Sequence, residues 1–323
     1  MKVLANDGLE KSGIDALESY GFQVMTTKIP QEDLAEFINQ HHISTLLVRS
    51  ATEVRKSLID ACSDLAIIGR GGVGMDNIDV DYARSKGIHV INTPSASSAS
   101  VAELVFAHLF SGARFLEDSN RKMPVCGSTD FAALKKSYAK GIELRGKTIG
   151  IIGMGRIGQE VAKIALGLGM RVIAADSQVG TAAIKVKFYN NQYINVDIQT
   201  EPLEDVIRHS DFITLHVPAQ NDGSFMIGKP EFDLMKDGVA VINCSRGGVV
   251  DEDALIEALD SGKVRFAGLD VFIGEPVPSQ KILCHPKISL TPHTGASTEE
   301  AQDRIGVSLA EQIANILKVQ KIN

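Results

Sequence analysis

Apolar residues along the chain gather in short runs, each followed by a longer stretch in which apolar and polar positions recur at helical spacing. Lys2–Ala5, 22–25, Thr45–Val48, 65–68 and 89–91 are the runs of the first third. Continuous apolar runs of this length suit strands buried on both faces, so the pattern predicts a βαβ series with parallel strands. Five of them make one doubly wound unit of flavodoxin-like type. Asn92-Thr93-Pro94 closes the series, the small polar stretch 95–100 follows, and a helical pattern then runs over 101–115. Residues 123–140 read as irregular connection.

The alternation resumes with strands at Thr148–Ile152 and 170–175, between which Val161, Ala162, Ala165 and Leu168 recur at helical spacing. Over 184–198, alternating apolar residues flank Asn190-Asn191, which predicts a β-hairpin protruding from the second unit. Helices are expected at Leu203–His209, around 231–235 and at 253–259. Strands at 212–217, 240–243 and 266–271 follow, in a doubly wound sheet expected to hold six strands. The amphipathic segment Glu299–Leu317 is expected to return to the first unit. The fold class is therefore α/β with two doubly wound parallel-sheet domains, one from residues 1–98 and 290–323 and the other from 99–289.

One turn carries chemistry of its own. Gly150-Ile151-Ile152-Gly153-Met154-Gly155-Arg156-Ile157-Gly158 takes a strand through three glycines into a helix. In this spacing Gly153 permits the tight turn, Gly155 lets a pyrophosphate approach the backbone and Gly158 lets helix pack on strand, while the helix N-terminus offers unpaired N–H groups to phosphate. The next strand ends on Asp176, placed to hold the ribose hydroxyls of NAD. No cationic residue adjoins it at Ser177 or Gln178 to neutralise a 2′-phosphate, so NAD is expected over NADP. The second domain is thus expected to be a Rossmann NAD-binding domain and the first to be the substrate domain.

Composition narrows the partners. The 323 residues are 44% hydrophobic, enough for a core in each of two domains. A formal net charge of −7 argues against nucleic acid or an anionic membrane as the partner. The N-terminus turns polar too early for a signal peptide and no apolar run spans a bilayer, so a cytoplasmic protein is expected. Cys62, Cys126, Cys244 and Cys284 lie far apart with no CxxC pair, so neither a metal site nor a disulfide framework is expected.

Three polar positions recur after the later apolar runs: Arg246 among small residues in Asn243-Cys244-Ser245-Arg246-Gly247, Glu275 before Pro276, and His293 after Pro292. An arginine so placed can grip a carboxylate, and a Glu with a His makes an acid-base pair. Together they suit hydride transfer at a 2-hydroxy acid. With these residues, Val48-Arg49-Ser50-Ala51-Thr52, Gly69-Arg70-Gly71-Gly72-Val73-Gly74, His216-Val217-Pro218, Asp270-Val271-Phe272 and Gly295-Ala296-Ser297-Thr298 stand in an order that resembles the D-2-hydroxyacid dehydrogenase family, and within it the phosphoglycerate dehydrogenase subgroup.

The resemblance implies that Arg246 binds the substrate carboxylate and polarises the reacting carbonyl, that His293 exchanges the proton, and that Glu275 orients the imidazole. It sets Val73, Gly153, Gly155, Arg156, Ile157, Gly158, Asp176, His216, Val217, Pro218, Cys244, Asp270, His293 and Gly295 along NAD, with Asp270 at the carboxamide. It also gives Arg49, Ser50, Arg70, Gly72 and Lys136, with Arg246 and His293, to an anionic substrate, 3-phosphoglycerate, and implies a homodimer. Ser97 or its neighbour stands where the subgroup carries Asn. The chain ends at Asn323 without a C-terminal amino-acid-sensing domain, so control through one is not expected. A glyoxylate or hydroxypyruvate reductase is the alternative, and an NAD-sensing corepressor a distant one.

Overall fold

The computed structural model describes residues 1–220 and 222–318. Its first hundred residues alternate as β1 (Lys2–Ala5), α1 (Lys11–Ser19), β2 (Gln23–Met25), α2 (Leu34–His41), β3 (Thr45–Val48), α3 (Lys56–Ala61), β4 (Ile67–Arg70), α4 (Val80–Ser85) and β5 (His89–Asn92). The strands form one parallel sheet in the order β2-β1-β3-β4-β5, the flavodoxin-like order. β3 is buried at every position, which is why its sequence is a continuous apolar run. β4 lies two residues beyond the expected 65–68. Leu65 is buried in the core ahead of the strand, Ala66 only leads in through an N–H bond to the Ser44 carbonyl, and the ladder continues through Gly69 to Arg70, a charged end that an apolar pattern cannot mark.

The chain continues through α5 (Ser98–Arg114), α6 (Leu116–Cys126), α7 (Phe131–Ser137), β6 (Thr148–Ile152), α8 (Arg156–Gly167), β7 (Arg171–Ala175), β8 (Thr181–Lys187), β9 (Tyr193–Gln199), α9 (Leu203–His209), β10 (Phe212–Leu215), α10 (Lys229–Leu234), β11 (Val239–Asn243), α11 (Glu252–Ser261), β12 (Val264–Leu269), α12 (Gln280–Leu283) and β13 (Ile288–Leu290). Six strands form a parallel sheet in the order β13-β12-β11-β10-β6-β7. Its sixth member is β13, three residues long and too short to stand out by pattern. Two helices, α6 and α7, occupy most of the stretch read as irregular. No residue of α6 is buried, and it is held by i,i+4 pairs, Arg121 to Glu117 at 2.6 Å and Lys122 to Asp118 at 3.0 Å, rather than by an apolar stripe.

β8 and β9 form the expected antiparallel hairpin around Asn190-Asn191. It does not simply protrude. Ala182, Ile184, Val186 and Ile198 are buried in the core that also holds Val161, Ala162 and Ala165 of α8, while the alternate residues of β8, most of β9 and the turn end, with Phe188, Tyr189, Tyr193 and Ile194, are exposed.

The last helix, α13 (Glu299–Leu317), belongs to the first unit. Thr298 caps it, accepting the Ala301 N–H at 3.2 Å, and Ile305, Leu309, Ala310 and Ile313 pack with Val3, Ala5, Leu17, Leu47 and Ile67. The two compact units divide at Ser100/Val101 and at Gly295/Ala296. The second unit therefore runs past the expected residue 289, because β13 pairs with β12 and the loop after it is hydrogen-bonded to Asp270.

α1 and α13 cross at two glycines, where a Cβ on Gly13 would lie 2.6 Å from the Gly306 Cα and one on Gly306 would lie 2.7 Å from the Gly13 Cα. Gly306→Val should destabilise the first unit by about 1–3 kcal/mol through overpacking. Gly167→Ala on α8 meets open space and should be neutral or stabilising by a few tenths of a kcal/mol or more, up to about 1. Denaturant unfolding of both variants checks this; a Gly306→Val protein as stable as wild type would show that the helices do not need the close approach.

Candidate active site

The glycine turn links β6 to α8 as the spacing requires. Gly153 adopts φ +99°, and a Cβ there would fall 2.5 Å from the His216 carbonyl oxygen, while a Cβ on Gly158 would collide with the carbonyl of Gly153. On Gly155, the N-cap of α8, a Cβ would meet nothing within 4 Å. That side of the turn is therefore an open cradle, bordered by the first N–H groups of the helix at Arg156 and Ile157, and it fits a pyrophosphate. Asp176 follows β7. Its Oδ2 accepts the Met154 N–H at 2.7 Å, and its Oδ1 accepts those of Gln178 at 2.7 Å and Val179 at 2.9 Å. Burial pushes this carboxyl up, but the three amides outweigh it and hold the group below the usual carboxylate range. One of roughly four acceptor positions remains for a ribose hydroxyl.

His216, Val217 and Pro218 leave the end of β10 beside the turn, with the His216 N–H bonded to the Ile152 carbonyl at 2.7 Å and Val217 touching the space over Gly153. The imidazole of His216 meets the Thr214 hydroxyl at 3.0 Å through Nε2, and its Nδ1 is buried without a protein partner. Burial pushes its pKa down to about 3, so the ring is neutral at working pH. Cys244 follows β11 as a buried thiol that burial, with Asp270 nearby, pushes well above its ordinary value.

Arg246, Glu275 and His293 follow β11, β12 and β13, three adjacent strands, at one edge of the sheet. Asn243 folds the first loop: its Oδ1 accepts from the Ser245 N–H and hydroxyl, and its Nδ2 donates to the Arg246 carbonyl at 2.9 Å. Arg246 Nη1 donates to the Ser245 carbonyl at 2.6 Å. In the second loop Glu275 Oε1 accepts the Phe272 N–H at 2.8 Å, and the neighbouring Ile273 N–H goes to Glu252 Oε1 at 2.7 Å. Burial, then the neighbouring carboxylates, push the Glu252 carboxyl up.

In the third loop His293 Nδ1 lies 2.8 Å from Glu275 Oε2. Its backbone is left-handed, φ +53°, an uncommon state for a residue with a side chain. Asp270 holds it there. The Asp270 carbonyl accepts the His293 N–H at 2.8 Å, Oδ1 accepts the Thr294 N–H and the Thr291 hydroxyl at 2.7 Å each, and Oδ2 accepts the Gly295 N–H at 2.8 Å. The carboxylate set beside the cofactor by resemblance thus spends its acceptor positions on this loop, the Thr294 hydroxyl adding a long contact to Oδ1 at 3.5 Å.

The first unit places Arg49 and Ser50 after β3, and Arg70, Gly72 and Val73 at and after β4. Asp7 accepts the Arg49 and Thr52 N–H groups at 2.7 and 3.1 Å, the Thr52 hydroxyl at 2.7 Å and Lys28, while Asn77 Nδ2 donates to the Arg49 and Thr52 carbonyls at 2.9 and 2.6 Å. Burial raises the Asp7 carboxyl, yet Lys28 and these donors hold it below the ordinary range. Arg49 also lines a cavity of about 240 Å³ with Asp7, Gly8, Gly71 and Gln302. The Arg70 guanidinium lies over Gly72, where any Cβ would collide with it. Lys136 is exposed on α7 of the second unit. Sequence reading gave no role to Asp7, Asn77, Glu252 or Thr291, because each acts through a hydrogen bond to a group far away in the chain, backbone for the first three and the Asp270 carboxylate for Thr291.

Comparison with known proteins points to one family. Residues 106–295 match the model of the D-isomer specific 2-hydroxyacid dehydrogenase NAD binding domain. The chain is 41% identical over 318 residues to a D-3-phosphoglycerate dehydrogenase of Methanocaldococcus jannaschii, covering 98% of this chain and 58% of that protein. It is 40% identical over 316 residues to a hydroxypyruvate reductase of Thermotoga maritima, covering 97% of each. The solved D-lactate dehydrogenase of Aquifex aeolicus, complexed with NAD and lactic acid, aligns with TM-score 0.73 at 28% identity over 98% of this chain and 96% of that one.

The last acceptor position on Asp176 suits a hydroxyl donor and repels a phosphate. Activity with NADH should exceed that with NADPH by at least about tenfold in kcat/KM, the size expected when a charge-assisted hydrogen bond is lost. Equal use of the two, measured side by side, would remove Asp176 from cofactor selection.

Proposed function

The chain belongs to the D-isomer specific 2-hydroxyacid dehydrogenases, and we propose that it transfers a hydride between NAD and a D-2-hydroxy acid, with 3-phosphoglycerate and 3-phosphohydroxypyruvate as the pair it serves. The observation that carries the reading is the 2.8 Å contact between His293 Nδ1 and Glu275 Oε2. A carboxylate can only accept there, so Nδ1 carries the proton and Nε2 is left as the atom that exchanges one with the substrate hydroxyl. In oxidation Nε2 accepts the hydroxyl proton; in reduction the imidazolium returns it. Glu275, fixed from behind by the Phe272 N–H, keeps the ring in one tautomer. Arg246, at the end of the neighbouring strand, would bind the substrate carboxylate through two parallel hydrogen bonds. When bound, NAD supplies the hydride acceptor.

The substrate follows from charge. Arg49 and Arg70 close adjacent strands of the first unit at the edge where open α/β sheets hold ligands, and a phosphate is the group such a pair would recognise. Seven of the similar proteins are named D-3-phosphoglycerate dehydrogenase, which supports the same reading. Reduction of hydroxypyruvate is the second reading, favoured by the full-length match to the Thermotoga maritima enzyme. The same proposal includes a homodimer, since Phe110, Leu116, Met123, Val125 and Phe131 expose apolar surface on α5 to α7. A monomer in sedimentation equilibrium would exclude it.

Two variants test the assignment. His293→Ala should lower kcat by roughly 10²- to 10⁴-fold while NADH still binds, as expected for loss of general acid-base catalysis. Near wild-type turnover would take His293 out of the mechanism. Arg70→Ala should raise KM for 3-phosphoglycerate more than about tenfold, the equivalent of about 1.5–3 kcal/mol for a charge-assisted contact, and leave turnover of an unphosphorylated 2-oxo acid little changed. Equal loss on all substrates, or wild-type preference for hydroxypyruvate, would make the second reading the correct one.

A further inference from the structure

A buried polar chain begins where the catalytic loop ends. His108 lies in the middle of α5, 2% exposed, with Nδ1 2.9 Å from the Ser289 hydroxyl of β13 and Nε2 3.1 Å from the Thr291 hydroxyl. Helix and sheet approach closely here. A Cβ on Gly268 of β12 would fall 2.6 Å from the His108 Cβ.

The donors and acceptors allow one direction only. The Thr291 hydroxyl spends its single proton on Asp270 Oδ1 at 2.7 Å, because a carboxylate oxygen cannot donate. Towards His108 it can therefore only accept, so Nε2 carries the imidazole proton. Nδ1 of the neutral ring is then an acceptor, and the Ser289 hydroxyl donates to it. The chain runs Ser289 to His108 to Thr291 to Asp270 and ends on the carboxylate that holds the Thr294 and Gly295 N–H groups, directly after the left-handed His293.

We propose that His108 is a positioning residue for the reaction. Its Nε2–H tautomer fixes the Thr291 hydroxyl, the hydroxyl fixes the Asp270 carboxylate, and that carboxylate sets the place of the His293 ring. This rests on the reading of His293 as the acid-base group. Strained backbone at a working residue persists only where its surroundings over-determine it, and removing one support lets the loop relax towards ordinary dihedral angles. A small displacement of the ring is costly to a proton transfer and indifferent to cofactor affinity.

The test uses the intact protein. Thr291→Val keeps shape and removes the hydroxyl; His108→Leu removes the ring nitrogens; Thr291→Ser and His108→Gln restore a hydroxyl and an N–H donor. Thr291→Val and His108→Leu should each lower kcat about tenfold, with the fold retained and the NADH dissociation constant unchanged, and the conservative variants should recover most of the loss. Nitrogen-15 spectra of labelled histidine should show His108 with its proton on Nε2. Wild-type kcat in Thr291→Val, loss of NADH binding together with kcat, or a proton on Nδ1 would overturn the proposal. If His108→Leu does not fold, Thr291→Val decides alone. An active His293→Ala would sink the underlying reading, whereas an inactive His293→Ala beside a fully active Thr291→Val would sink this inference only.

Discussion

Parallel strands buried on both faces leave charged side chains little room except in the loops beyond their ends, and that constraint arranges everything else in this molecule. β3 and β11 are buried at every position. The polar groups proposed to form the site therefore wait until the strand has finished: Arg49 after β3, Arg70 at the end of β4, Asp176 after β7, Arg246 after β11 and His293 after β13. A loop is a poor support for a precise site unless something stiffens it.

The stiffening is done by carboxylates of strand-end aspartates. Asp7 after β1, Asp176 after β7 and Asp270 after β12 each accept at least two backbone N–H groups from loops at the same sheet edge. A carboxylate suits this role because it offers about four acceptor positions and no donor, so it can gather amides that would otherwise be left unpaired. For Asp7 and Asp176 the gathering also lowers the pKa below its ordinary value. A lowered value means that their stabilisation is complete above the ordinary aspartate range and is lost as pH falls through the folded-state value, so it is present throughout the neutral range.

The same physics decides what sequence alone can disclose. Continuous apolar runs revealed nearly every buried strand, and the glycine turn with Asp176 revealed the cradle, because both are local patterns. Arg246, Glu275 and His293 stood out as polar residues among small ones after such runs. β13 escaped because three residues carry no period, and α6 because its support is charge pairing along an exposed surface rather than an apolar stripe. The end of β4 was misplaced because Arg70 closes a ladder whose hydrogen bonds are indifferent to side-chain polarity. His108 reads in sequence as one polar position in the apolar run of α5, and its partners lie 181 and 183 residues away. Nothing local marks such a residue.

The hairpin shows how a departure from the usual alternation can serve the site beside it. Between β7 and α9 a helix would be the ordinary crossover, yet this chain turns into β8 after only five residues, 176–180. The hairpin still covers α8, since Ala182, Ile184, Val186 and Ile198 bury there as a helix face would. Its base is closed by Thr200, whose hydroxyl donates to the Val179 carbonyl at 2.7 Å and whose N–H donates to the Gly180 carbonyl at 3.0 Å, while the Glu201 N–H returns to the Ala174 carbonyl of β7 at 2.8 Å. Those bonds pin the turn that presents the Gln178 and Val179 amides to Asp176. A short turn closed at both ends has little freedom to swing a donor away, so the orientation of the Asp176 carboxylate is set by the hairpin as much as by the strand that precedes it.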